Sequence, residues 1–120
     1  MLSWPTTVKV FLCSGATDMR KGFDSLAHLI ESSLALDPFS GHLFVFRSRR
    51  GDRIKILYWD RDGYAMRYKR LSQGRFPWWT SAAEMGAQRL AAHQLSVLLS
   101  AGNPTRTGAA ADWRPVGPLT

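Results

Sequence analysis

The residues with most chemistry to offer in this chain are cations. Between Arg47 and Arg75 stand Arg47, Arg49, Arg50, Arg53, Lys55, Arg61, Arg67, Lys69, Arg70 and Arg75, against the carboxylates Asp52, Asp60 and Asp62. The formal net charge is +7, and this segment holds all of it, since the other residues carry six charges of each sign. Positive charge gathered in this way attracts polyanions more strongly than the same charge spread evenly. Cation contacts to phosphates supply most sequence-independent affinity for nucleic acid, and an exposed aromatic such as Trp59 can stack on an unpaired base. The candidate nucleic-acid-binding set is therefore Arg47, Arg49, Arg50, Arg53, Lys55, Trp59, Arg67, Lys69, Arg70 and Arg75. The alternative is a solvated sheet face whose charges serve solubility, with Trp59 in the core.

Catalytic patterns are weak by comparison. His28, His42 and His93 lie far apart and give no metal-ligand spacing, and His28 reads as a partly buried structural histidine. Ser14-Gly15 and Gly22 lack the glycine spacing and the Gly-Lys-Ser/Thr ending of a phosphate-binding loop. Asp60 and Asp62 lie on a tight turn, where aspartates commonly bond their own backbone. A metal-dependent nuclease would need them to converge with Asp18 and Asp24 from other elements. No catalytic residue, metal site, cofactor or small-molecule substrate is expected. Phe76-Pro77-Trp78-Trp79 offers a different function: adjacent side chains on a strand point to opposite faces, so one tryptophan should be exposed or covered by another protein. Phe76, Trp78 and Trp79 are the candidate protein-interaction residues, with packing against a C-terminal helix as the alternative.

The elements that must position these residues follow from periodicity. Val8, Val10 and Leu12 alternate with Lys9 and Phe11, a strand pattern. Met19, Phe23, Leu26, Ala27, Ile30 and Leu34 recur at helical steps; Thr17 or Asp18 could cap the helix, Gly22 weakens its first turn, and Asp37-Pro38 ends it. From Leu43 the period is two: strands at 43–47, 53–59 and 64–71, joined at Arg50-Gly51-Asp52 and Asp60-Arg61-Asp62-Gly63, with Gly63 suited to a left-handed position. Gln73-Gly74 turns the chain into a possible edge strand at 75–79. Ser81 and Glu84 fit a capping box before a helix carrying Leu95, Leu98 and Leu99. The predicted fold is α+β: a small antiparallel β-meander with one helix packed on a face and a C-terminal helix. On this reading the side bearing Ile54 and Ile56 covers the helix, while Lys55, Arg67 and Lys69 meet solvent beside Trp59.

The totals bound these readings. A chain of 120 residues fits one domain, predicted over 1–102, with a Gly-, Ala-, Pro- and Thr-rich tail at 103–120. Apolar residues make up 45% and charged ones 21%, a globular composition. No apolar run reaches the ~20 residues that span a bilayer, the start of the chain does not read as a secretory signal, and Cys13 stands alone. The expected location is cytoplasmic.

With the segments laid out, the chain resembles a known family. The stretches Thr17-Asp18-Met19-Arg20-Lys21-Gly22-Phe23-Asp24, Asp37-Pro38-Phe39-Ser40-Gly41-His42-Leu43-Phe44-Val45-Phe46 and Arg49-Arg50-Gly51-Asp52-Arg53-Ile54-Lys55-Ile56-Leu57 are similar to the TnpB-type accessory protein of the insertion-sequence sixty-six family of bacterial transposable elements. Tyr58-Trp59-Asp60, Lys69-Arg70-Leu71 and Gly74-Arg75-Phe76 continue the match in order, over about residues 5 to 80. This family is distinct from the RNA-guided nucleases that share the TnpB label. The resemblance implies a non-catalytic accessory protein of transposition, encoded beside a separate transposase. Its implied partners are the transposase, other element-encoded proteins and DNA. Members usually continue past the last helix with a Gly-Ile-Asp-Trp-like segment; here Ala101-Gly102-Asn103-Pro104 follows, and Asp112-Trp113-Arg114-Pro115 comes late.

Overall fold

A computed structural model describes residues 7–80 and 86–102. Five strands form one sheet: β1 (Val10–Cys13), β2 (Leu43–Arg47), β3 (Arg53–Asp60), β4 (Gly63–Arg70) and β5 (Ala87–Leu90), in the order β4-β3-β2-β1-β5. The helices are α1 (Phe23–Ser33) and α2 (Ala92–Leu99). The fold is α+β, and β2, β3 and β4 form the antiparallel meander expected from their alternation. The sheet as a whole is mixed. Strand β1 pairs in parallel with β2 through Val10↔Leu43 and Leu12↔Val45, because α1 carries the chain back across the sheet between them. Strand β5 then closes antiparallel on the other side of β1.

Two cores result. Val10, Leu12, Leu43, Val45, Ile54 and Ile56 pack with Phe76, Leu95 and Leu98 on the α2 face. Phe44, Phe46 and Leu57 pack with Leu26, Ala27 and Ile30 on the α1 face. The expected coverage is thus reversed: α1 lies on the Leu57 side of β3, and α2 is the helix on the Ile54 and Ile56 side. Strand β2 shows why. Leu43, Phe44, Val45 and Phe46 are all buried, so this segment has an apolar side chain for each of two covered faces. Full burial of each such side chain contributes roughly 1.5–3 kcal/mol, which outweighs any preference for leaving one face polar.

Helix α1 starts at Phe23, and neither Thr17 nor Asp18 caps it: the N-cap is Gly22, with no side-chain hydrogen bond. Phe23 is 47% exposed, so the apolar stripe inside the helix is Leu26, Ala27 and Ile30. The helix stops at Ser33, before Asp37-Pro38, where Ala35 takes a φ of 54°. In the β3–β4 turn the left-handed residue is Arg61, φ 58°, rather than Gly63, which opens β4 opposite Asp60. Residues 75–79 form no strand. The fifth strand is Ala87–Leu90, a segment expected to be helical, and α2 begins only at Ala92, where the Gln94 side chain accepts the Ala91 N–H at 2.7 Å. Both residues of the expected capping box, Ser81 and Glu84, and the expected tail lie outside the described residues.

The β2–β3 connection is held by its own side chains. Ser48 Oγ accepts the N–H groups of Gly51 and Arg53, each at 3.2 Å, and donates to Asp52 Oδ1 at 3.3 Å. Gly51 adopts a φ of 80°, and a Cβ there would stand 2.5 Å from a guanidinium nitrogen of Arg47. The following segment is stitched to the same hairpin, with Leu71 N–H donating to Asp52 O and Phe76 N–H to Gly51 O, both at 2.8 Å. Gly51→Ala should lower stability by about 1–2 kcal/mol, the cost of a left-handed L-residue, as read by urea unfolding.

Candidate nucleic-acid interface

The parallel pairing of β1 and β2 brings two connections to one end of the sheet. Residues 14–22 leave β1 there, and the Ser48–Asp52 hairpin leaves β2. Thr17 N–H joins them by donating to Arg47 O at 2.9 Å. Between them runs a groove of about 540 Å³, lined by Thr17, Asp18, Met19 and Arg20 on one wall and by Ser48, Arg49, Arg50, Asp52 and Arg53 on the other.

Its electrostatics favour anions. Arg49 and Arg50 are exposed on the hairpin. Both carboxylates in the lining are already engaged. Asp18 accepts the Arg20 guanidinium at 2.8 Å and the Arg20 N–H at 2.9 Å. Those bonds hold its carboxyl well below the usual carboxylate range. Asp52 accepts from Ser48 Oγ and lies 4.0 Å from Arg53 Nε. Arg53 is half-buried, donates to Tyr68 Oη at 3.5 Å, and faces Arg70 across the β3–β4 register. Such a groove can hold phosphate oxygens by charge-assisted hydrogen bonds. It has no aromatic wall on which to stack a base.

The other expected site residues are distributed differently. Lys55 is buried, with 7% of its surface exposed, and its ammonium donates to Met19 O at 2.6 Å and Lys21 O at 2.9 Å, with the Tyr68 ring centroid 4.9 Å away. The register decides this: Lys55 pairs with Tyr68, whereas Arg67 pairs with Ile56 and Lys69 with Ile54, on the opposite face. The expected surface of Lys55, Arg67 and Lys69 beside Trp59 therefore does not form. Arg67 is exposed on the α2 face, where Lys69 donates to Leu99 O at 2.6 Å, at the carbonyl end of α2. Trp59 is half-buried at the far end of β3 and packs on Phe39 and Tyr64 with ring centroids 5.0 Å apart in both cases.

Arg47 is half-buried on the α2 face with its guanidinium 5.7 Å from the Trp79 ring centroid. Burial and neighbouring Arg75, itself exposed, push its pKa down. Phe76 is 1% exposed and belongs to the α2-face core, which removes it from any interaction surface. Trp78 and Trp79 are half-buried against the same core, as the packing alternative foresaw, and Trp79 Nε1 donates to Cys13 O at 3.1 Å.

The carboxylates and imidazoles are dispersed. Asp18 stands at the hairpin end of the sheet, whereas Asp60 and Asp62 occupy the β3–β4 turn at the other end. Among the described residues no cluster of His, Cys, Asp or Glu could hold a metal ion. His28 is exposed rather than partly buried, and His42 accepts the Lys9 N–H at its Nδ1, 3.0 Å away. Burial pushes the Cys13 thiol up.

Two groups were not legible as part of the site. Arg20 and the carbonyls of Met19 and Lys21 sit in the Thr17–Asp24 stretch, outside the basic segment, where a backbone carbonyl leaves no mark in the sequence. A model of the IS66 Orf2-like proteins matches residues 8–109. The chain belongs to the IS66 Orf2-like family. Two relatives come from Sinorhizobium fredii: uncharacterized protein y4hO, 42% identical over 96% of both chains, and uncharacterized protein y4jC, 31% identical over 82% of this chain and 83% of its own. No solved structure matches. Membership in the IS66 Orf2-like family carries an accessory role associated with transposition of insertion sequences. No helix among the described residues is long and apolar enough to cross a membrane.

The Lys55 geometry distinguishes a structural cation from a surface one. Lys55→Met should cost about 2 kcal/mol or more, because two carbonyls lose a charged donor, whereas Arg67→Met should stay within about 0.5 kcal/mol. Urea denaturation midpoints of the two variants provide the check.

Proposed function

We propose that this IS66 Orf2-like protein is a non-catalytic DNA-binding accessory factor that works with the element's transposase during recombination in the bacterial cytoplasm. The supporting observation is the groove where the β1–α1 connection meets the β2–β3 hairpin. There Arg49 and Arg50 are exposed, while the carboxylates of Asp18 and Asp52 are occupied by Arg20 and Ser48. Arg53, Arg70 and Arg75 extend the positive surface around the same end.

The groove offers guanidinium donors and no stacking platform, which suits the sugar–phosphate backbone of a duplex better than unpaired bases. Backbone contacts position a protein on DNA without reading its sequence, a suitable property for a factor that assists a separate, sequence-reading transposase. The basic surface thus shifts from the sheet face suggested by strand alternation to the loops at the sheet's end. The chain is taken to act as one domain over 1–102, with 103–120 as its tail.

Affinity for a 30-base-pair duplex, measured by fluorescence anisotropy over a salt series, should fall steeply as salt rises. Arg49→Gln/Arg50→Gln should flatten the log–log slope by about two, the loss of two phosphate contacts. Salt-insensitive binding, or a slope that the double variant leaves unchanged, would sink the DNA reading.

A further inference from the structure

The opposite end of the sheet has the reverse character. Phe39, 55% exposed, stacks on Tyr64 at 5.7 Å between ring centroids and meets Trp59 edge-on at 5.0 Å. Phe39 is held out by a fixed turn: Asp37 Oδ1 accepts the Phe39 N–H at 2.9 Å, and Asp37 O accepts the Ser40 N–H at 3.2 Å. Burial pushes the Tyr64 phenol up, and the negative charges of Glu31 and Asp24 on α1 and of Asp37 in the Phe39 turn add to that rise. Asp60 ends β3 on the face opposite Trp59, and Asp62 lies in the adjoining turn, with Arg61 as the cation between them. All five carboxylate residues are exposed, and the other described carboxylates, Asp18 and Asp52, lie at the groove.

We propose that this acidic aromatic end is a docking site for an arginine-bearing segment of a partner protein. A guanidinium plane stacks on aromatic rings and forms paired hydrogen bonds with a carboxylate, so one side chain satisfies both halves of the patch. Nucleic acid is disfavoured here, because the same carboxylates repel phosphate. A second copy is the weaker occupant: its arginine-rich surface is the groove end, and head-to-tail pairing would cover the groove. The inference does not depend on the DNA reading, since the two surfaces lie at opposite ends of β3.

The test uses a fluorescein-labelled peptide of Gly-Arg repeats and its citrulline counterpart, which keeps the shape and removes the charge. The arginine peptide should bind the full chain at least about tenfold more tightly than the citrulline peptide. Phe39→Ala and Glu31→Lys should each weaken binding by about fivefold, and Glu31→Lys, at an exposed position of α1, should leave the thermal melt unchanged. The groove variant Arg49→Gln/Arg50→Gln should retain full peptide affinity, so that failure here and failure of the DNA reading are separate results. Equal binding of the citrulline peptide, or binding untouched by Phe39→Ala and Glu31→Lys, would overturn the proposal. A concentration-dependent dimer in sedimentation, lost in Phe39→Ala, would do so too by making a second copy the occupant.

Discussion

Two backbone carbonyls, those of Met19 and Lys21, converge on the ammonium of Lys55, and the arrangement of the groove depends on that convergence. The β1–α1 connection has few apolar anchors of its own, because Asp18, Arg20 and Gly22 are exposed. A charged donor aimed from the middle of β3 fixes it against the sheet. The opposite wall, the β2–β3 hairpin, is fixed by Ser48 and by the left-handed Gly51. Arg20 and Arg49 therefore extend from supported backbone, and the groove's shape is set before any ligand arrives.

Parallel pairing of β1 with β2 is what makes two such walls meet. In a purely antiparallel meander each connection serves only its own pair of strands, and basic loops would alternate between the two ends of the sheet. The crossover through α1 instead returns the chain to the same end, so that a loop from β1 and a hairpin from β2 lie side by side. Binding crevices of open sheets with parallel strands form in this position, beyond the strands' carboxyl ends. Here the crevice is lined by arginines.

The sequence made the α+β class, the meander and the presence of α1 legible, because each rests on local periodicity, while the ends of α1 were not. The family pattern across Thr17–Phe23 and Arg49–Leu57 was legible as well. What it concealed was register. Lys55 and Arg67 each alternate correctly along their own strands, but only the pairing of Lys55 with Tyr68 reveals that they face opposite sides. The second buried face of β2 was hidden for a related reason: Leu-Phe-Val-Phe is a continuous apolar run, which does not by itself say which element covers each of its faces. Strand β5 was concealed because Ala87–Leu90 contains good helix formers, and the open side of β1 overrode that preference. Phe39 belongs to no periodic segment, and it is the fold that sets it against Trp59 and Tyr64.

The interior place of β1, between β2 and β5, also constrains the order in which the molecule can be built. Its neighbours in the sheet are supplied by residues 43–47 on one side and 87–90 on the other. During synthesis the first strand must therefore wait for almost all of the described chain before both its edges are covered. Until then Val10, Phe11 and Leu12 offer unpaired backbone and apolar surface to any other strand nearby. Completion is governed by a contact between the chain's early and late segments, which ties up the most loop entropy of any pairing in the sheet.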